Sequence, residues 1–213
     1  MPTAITIAPD ALPPRPVREL PPLRREDLPP DTSHLARFLI GKTVVRLTAE
    51  GLRAGRIVET EAYVEDDPAS HAFRGRTRRN AAMFLKRGHA YVYIAYGCWP
   101  VLNVASEAEG TGTAVLLRAA EPIVPPGQAA PDRKVASGPG RLARYLGVTL
   151  ADDGADLCAE GGLYLAAAVG PVGTIAVGPR IGISKAADRP LRFFEIGSPS
   201  LSGPARLNRH AVP

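Results

Sequence analysis

Two runs hold the residues best suited to chemistry: Gly55-Arg56-Ile57-Val58-Glu59-Thr60-Glu61-Ala62-Tyr63 and Tyr91-Val92-Tyr93-Ile94-Ala95-Tyr96-Gly97. In the first, β-branched and apolar residues alternate with charged ones, which predicts a strand with successive side chains on opposite faces. Ile57, Glu59, Glu61 and Tyr63 then share one face. Like charges that close repel, and an aromatic ring is costly to leave in water. Such a face suits a pocket that sets an acid beside a ring. The second run places Tyr91 and Tyr93 on one strand face and Tyr96, followed by Gly97, at a hairpin tip. Half of the six tyrosines fall in this run, an aromatic surface on which flat substrates can stack.

Two carboxylates two apart on a strand have three uses. They can hold Mg²⁺ for phosphoryl chemistry. They can assist glycosidic cleavage, one of them activating water or stabilising a cationic sugar. Or each can pair with an arginine. The tyrosines favour the second use. A nucleobase to be cut from its sugar must leave the duplex stack, so the enzyme needs flat side chains to sandwich it and a wedge for the gap. Tyr63, His71 and Tyr93 suit the sandwich, and Tyr96 the wedge.

The elements that must position these groups follow from pattern and punctuation. Residues 1–30 are rich in proline with little apolar periodicity, which predicts a flexible or surface-laid tail. Thr32 or Ser33 is expected to cap a short helix through Leu35, Phe38 and Leu39, closed by Gly41. Lys42–Leu47 reads as a strand that turns at Ala49-Glu50-Gly51 into the Glu59/Glu61 strand. A polar loop then carries His71, Arg74, Arg76, Arg78 and Arg79, after which Thr77 is expected to cap a helix containing Met83, Phe84 and Leu85. Trp99–Ala105 continues the tyrosine hairpin with Asn103 embedded. Thr113–Ala119 reads as a core strand bearing Arg118, and a buried arginine needs a carboxylate or phosphate opposite it. Ser137-Gly138-Pro139-Gly140 opens a helix with Arg141 in its first turn, a geometry that can hold a phosphate. Short strands are expected within 162–169, 174–183 and 190–196. The architecture this predicts is α+β: a single compact domain over 31–213, with a curved, mostly antiparallel sheet and short surrounding helices.

With 213 residues the chain suffices for one well-buried domain, and 26 Lys+Arg against 21 Asp+Glu give a net charge of +5, which favours a polyanionic partner. Cys98 and Cys158 are the only cysteines, and they form neither a disulfide framework nor a zinc spacing. No apolar run reaches membrane-span length and the start lacks an apolar signal region. A soluble monomer in a reducing compartment is expected, cytoplasmic and nucleoid-associated in a bacterium.

These runs, together with Met83-Phe84, Asn103, Val115-Leu116-Leu117-Arg118-Ala119, Ser137-Gly138-Pro139, Pro179-Arg180-Ile181-Gly182-Ile183 and Pro190-Leu191-Arg192-Phe193, closely resemble the alkyladenine (3-methyladenine) DNA glycosylases of the mammalian type. The resemblance runs in one order from about residue 30 to 203. It implies base-excision repair of duplex DNA: flipping of damaged purines, alkylated and in part deaminated, and hydrolysis to an abasic site, without cofactor or metal. Glu61 would activate the water that attacks C1′, and Arg118 would lie near that water and the flipped nucleotide's phosphate. Tyr63 and His71 would line one side of the base and Tyr93 the other. Tyr96 would enter the duplex, and Asn103 would guard the pocket floor against the amino group of normal guanine. Arg74, Arg76, Arg79, Asn80, Gly138 and Arg141 would meet the DNA backbone. The loop before His71 is one residue shorter than the family pattern, Arg78 stands where proline is common, and the turn after Asn103 is longer; these differences bear on substrate range. Two other readings make different predictions. A non-catalytic nucleic-acid binding module would release no base, and a metal-dependent nuclease using Glu59 and Glu61 would stop on chelation.

Overall fold

The computed structural model describes residues 17–124, 127 and 129–208. Its frame is an antiparallel sheet of eight strands: β1 Thr43–Thr48, β2 Gly51–Tyr63, β3 Ala90–Ala95, β4 Trp99–Ala105, β5 Ala114–Ile123, β6 Leu163–Ala166, β7 Ile175–Gly178 and β8 Arg192–Glu195. The order is β3-β4-β5-β2-β1-β6, with β8 on the second half of β2 and β7 beyond it. Two eight-residue helices, α1 Thr32–Leu39 and α2 Pro139–Leu146, pack on it. The expected α+β architecture with its curled antiparallel sheet is the one observed.

β2 is the spine because it is long enough to serve three neighbours. Its first half pairs with β1, its residues 59–61 pair with β8, and β5 follows nearly its whole length. The register against β5 shifts twice, at Ile57/Glu59 and at Glu59/Thr60, a bulge that bends the strand and re-aims side chains. This corrects the simple alternation. Ile57 leaves the acid face and joins the main core with Leu35, Leu39, Val44, Leu117 and Leu142, while Glu59 and Glu61 both turn toward Arg118. Thr60 points the other way and ties β2 to α1 through its hydroxyl, which donates to the Ala36 carbonyl at 2.8 Å.

Local signals were read mostly, but not always, in the right place. Asp31, not Thr32 or Ser33, caps α1, its carboxylate accepting the His34 N–H at 2.8 Å; a carboxylate there also suits the positive end of the helix dipole. The helix expected after Thr77 is one 3₁₀ turn, Ala81–Phe84, because Thr77 spends its polar groups on Asn80. α2 begins as expected, Gly138 at φ 118° ahead of Pro139. Residues 1–16 lie outside the described residues. Residues 17–30 are not a loose tail: Leu28 is buried, the Leu23 N–H donates to the Leu165 carbonyl at 2.7 Å, and Pro22 bridges to Ala166. Leu20, Leu23 and Leu28 supply the apolar anchors that proline density concealed. No helix is long and apolar enough to cross a membrane among the described residues.

Candidate active site

Glu61 sits just past the bulge, fully buried. Its Oε1 accepts the Ile181 N–H at 2.8 Å and lies 3.4 Å from Nη1 of Arg118; its Oε2 accepts the Tyr63 hydroxyl at 3.2 Å. Burial pushes its pKa up, while Arg118, the Ile181 N–H and the Tyr63 hydroxyl pull it down and the neighbouring Glu59 raises it. A buried carboxylate held by three donors, with its pKa raised by burial, is a candidate proton acceptor.

The two acids divide the work the sequence left open. Both oxygens of Glu59 are occupied: Oε1 accepts Nε of Arg192 at 2.6 Å and faces Nε of Arg118 at 3.3 Å, and Oε2 accepts the Ser202 N–H at 2.8 Å. Arg192, also fully buried, continues to the Leu207 carbonyl and the Asn208 side chain and lies over the Phe194 ring at 4.2 Å. Glu59 is therefore the structural anchor of Arg118, whose Nε also donates to Ser202 Oγ at 2.8 Å. With Glu59 spent on arginines and Glu61 on three donors, the pair has no free face for a metal. Among the described residues no group of three or more His, Cys, Asp or Glu is placed to hold one.

In front of Glu61 lies a slot of about 190 Å³ bounded by Tyr63, His71, Tyr91, Tyr93 and Asn103, with Gly182 and Ile183 on the remaining side. That is below the roughly 300–1,000 Å³ of pockets for drug-sized ligands and suits one flat heterocycle. Glu61 itself does not line the slot: it meets that wall through the Tyr63 hydroxyl. The side chain of Arg118 is 11 % exposed, so the arginine is the member of the pair that reaches toward solvent. His71 shares a 2.8 Å hydrogen bond between Nδ1 and the Tyr91 hydroxyl and meets the Tyr93 ring edge-on at 4.4 Å. Burial and then Arg79 lower its pKa, so the imidazole is neutral at physiological pH. Asn103, opposite Tyr91 in the β3–β4 register, donates from Nδ2 to the Tyr91 carbonyl at 3.0 Å.

Tyr96 is 83 % exposed at the hairpin tip. It holds φ 49° and Gly97 φ 77°, a left-handed pair that the tight turn requires and that strains a tyrosine. Its hydroxyl lies 3.1 Å from the Cβ position of Gly182, so it overhangs the same wall of the slot. Arg74, Arg76 and Arg79 are exposed on the loop after His71, and Arg141 on the first turn of α2. Asn80 is the exception among the expected backbone contacts. It is 3 % exposed, donates to the carbonyls of His71 and Gly75 and accepts the Thr77 N–H, so its amide folds the arginine loop and faces inward. A larger cavity of about 720 Å³ lies apart from the acids, lined in part by Arg53, Lys134, Arg141 and Arg144.

Sequence reading missed several contributors. Arg192, Ser202 and the Ile181 N–H reach the acids from distant segments, and Tyr91 acts through its hydroxyl. The available signal was Arg192 inside Leu-Arg-Phe-Phe, a charge in an apolar strand that demands a buried partner.

A small aromatic slot beside an acid–arginine pair, with an exposed ring and surface arginines nearby, has the shape and charge to suit a flat heterocycle on a polyanion. A model of the methylpurine-DNA glycosylase family matches residues 26–199. The chain is 52 % identical over 193 residues to a protein of Mesorhizobium japonicum, covering 88 % of this chain and 93 % of that one. It is 48 % identical over 194 residues to one of Paraburkholderia phytofirmans, covering 87 % and 90 %. With one of the archaeon Methanocella arvoryzae it shares 44 % over 196 residues, covering 86 % and 96 %. All three are provisionally named 3-methyladenine DNA glycosylase. The chain thus belongs to the methylpurine-DNA glycosylase family, as the motifs implied, and is a monofunctional glycosylase of base-excision repair.

Proposed function

We propose that the protein, acting as a monomer, releases alkylated purines from duplex DNA. The carrying observation is a slot sized for one base whose Tyr63 wall is hydrogen-bonded to Glu61, with Arg118 beside Glu61. His71 and Tyr93 touch edge-on in the free protein, so seating the base parts them, with Tyr63 and His71 coming to one side of it and Tyr93 to the other. Asn103, fixed by the Tyr91 carbonyl, bars the exocyclic amino group of normal guanine. Tyr96 takes the vacated place in the stack, its strained backbone holding the ring outward. Arg74, Arg76 and Arg79 on one side, and Arg141 with the α2 terminus at Gly138 on the other, hold the phosphates.

Hydrolysis then follows from charge. The water oxygen bonds to C1′ as its proton passes to Glu61, and the glycosidic bond breaks with both electrons leaving on the base. Negative charge at Glu61 favours the oxocarbenium-like sugar, and Arg118 keeps the carboxylate ionised while facing the phosphate. A purine alkylated at N3 or N7 is cationic, so it departs neutral and needs no acid. None of the residues lining the slot is a lysine, consistent with water as the nucleophile.

Duplexes carrying single defined lesions should yield free base and an intact abasic strand. Since Glu61 acts as its anion and burial raises its pKa, single-turnover release should climb with pH along an acid limb above the ordinary glutamate value of about 4.3. Identification of the released base tests the substrate; a rate that stays level down to pH 4 would count against Glu61 as the base.

A further inference from the structure

We propose that Asp67 and Arg180 form a charge-compensated back wall that lets the Tyr63 ring accept a cationic purine. The inference rests on the slot being the purine site and adds what selects among purines there. Arg180 is 4 % exposed. Its Nη1 donates to the Ala62 carbonyl at 3.0 Å and pairs with Asp67 Oδ2, and its Nη2 donates to Asp67 Oδ1 at 3.0 Å; both side chains of the pair are fully buried. The guanidinium carbon stands 4.7 Å from the centre of the Tyr63 ring. Tyr63 lines the slot and Arg180 does not, so the guanidinium covers the hidden face of the ring and a base covers the open one.

A tyrosine ring attracts a cation at either face, and a cation already behind it opposes a second in front. With a stacking separation of about 3.5 Å, the guanidinium lies roughly 8 Å from the base. An uncompensated unit charge at that range, in a partly buried setting, disfavours a cationic ligand by roughly tenfold. Asp67 cancels most of this penalty. The same carboxylate accepts the Ala69 N–H at 3.0 Å, so it also shapes the turn that leads to His71, but that role affects every base alike.

The test is the ratio of single-turnover release of 7-methylguanine, cationic in DNA, to that of hypoxanthine, neutral. Where a lesion is not released, the ratio comes from the affinity of a Glu61→Gln background for each duplex relative to undamaged DNA. Asp67→Asn should lower the cationic-to-neutral ratio about tenfold. Arg180→Met, which removes the rear cation and leaves the Asp67 carboxylate, should raise it severalfold; it decides the matter if Asp67→Asn does not fold. A purely structural pair would lower both lesions together, so an unchanged ratio in the variants that fold overturns the proposal, as does a ratio that falls in Arg180→Met. If the unsubstituted protein neither releases nor prefers either lesion, the purine reading of the slot falls as well.

Discussion

Glu61→Gln is expected to slow single-turnover base release by about 10³-fold while affinity for the same damaged duplex stays within about threefold, well under the 1.4 kcal/mol of a tenfold change. The size follows from the position of the side chain. Its carboxylate holds the Ile181 N–H and Arg118 through Oε1 and the Tyr63 hydroxyl through Oε2; an amide of the same shape keeps the first two through its one oxygen and turns an NH₂ to the Tyr63 hydroxyl, but has neither proton affinity nor charge. Affinity survives because the surfaces proposed to meet DNA, the exposed arginines and Tyr96, are untouched. Quantifying free base by chromatography and affinity by fluorescence anisotropy separates the two. A variant that released base at the unsubstituted rate would remove Glu61 from the chemistry.

Glu59→Ala is expected to cost about 3–5 kcal/mol of folding stability, since breaking a buried ion pair leaves an uncompensated charge. Here it would leave Arg192 without a carboxylate and Arg118 with Glu61 alone. Arg192 further holds the Leu207 carbonyl and the Asn208 side chain, so the loss should extend to the segment at 205–208. Urea unfolding would show it as a lower midpoint. Glu59→Gln should cost less, as it still offers an oxygen to the Ser202 N–H or to Arg192. If Glu59→Ala unfolded at the unsubstituted midpoint, the anchoring role assigned to Glu59 would be wrong.

The two acids illustrate how far the sequence could be read. Their placement two apart on a strand, beside Tyr63 and followed by a tyrosine hairpin, was legible because strand alternation and turn chemistry are local rules. Tyr96 at the tip, Arg118 facing carboxylates, and α2 starting at Gly138-Pro139 followed from the same rules. Ile57 departs from the predicted face because a bulge is a property of pairing: it lies where β2 meets β5 on one edge and β8 on the other, and neither partner is near in sequence. Asn80 was misread as a DNA contact because a polar residue in an arginine-rich loop looks exposed until the loop folds back on its amide. Residues 17–30 looked unanchored because the strand that receives Leu23, β6, comes more than a hundred residues later.

What the sequence determined alone was the inventory: an acid strand, stacking rings, a wedge at a turn, a basic loop, and membership of a family that cuts bases from DNA. Periodicity and motif order carry that information without knowledge of what packs where. Only the tertiary structure decided what holds each acid, because that depends on partners. Arg192 and Ser202 claim Glu59, whereas the Ile181 N–H, Tyr63 and Arg118 hold Glu61 at the back of the slot. Burial of an ionisable group is a balance between lost hydration and the donors brought to it, and those donors come from segments that only the folded chain brings together.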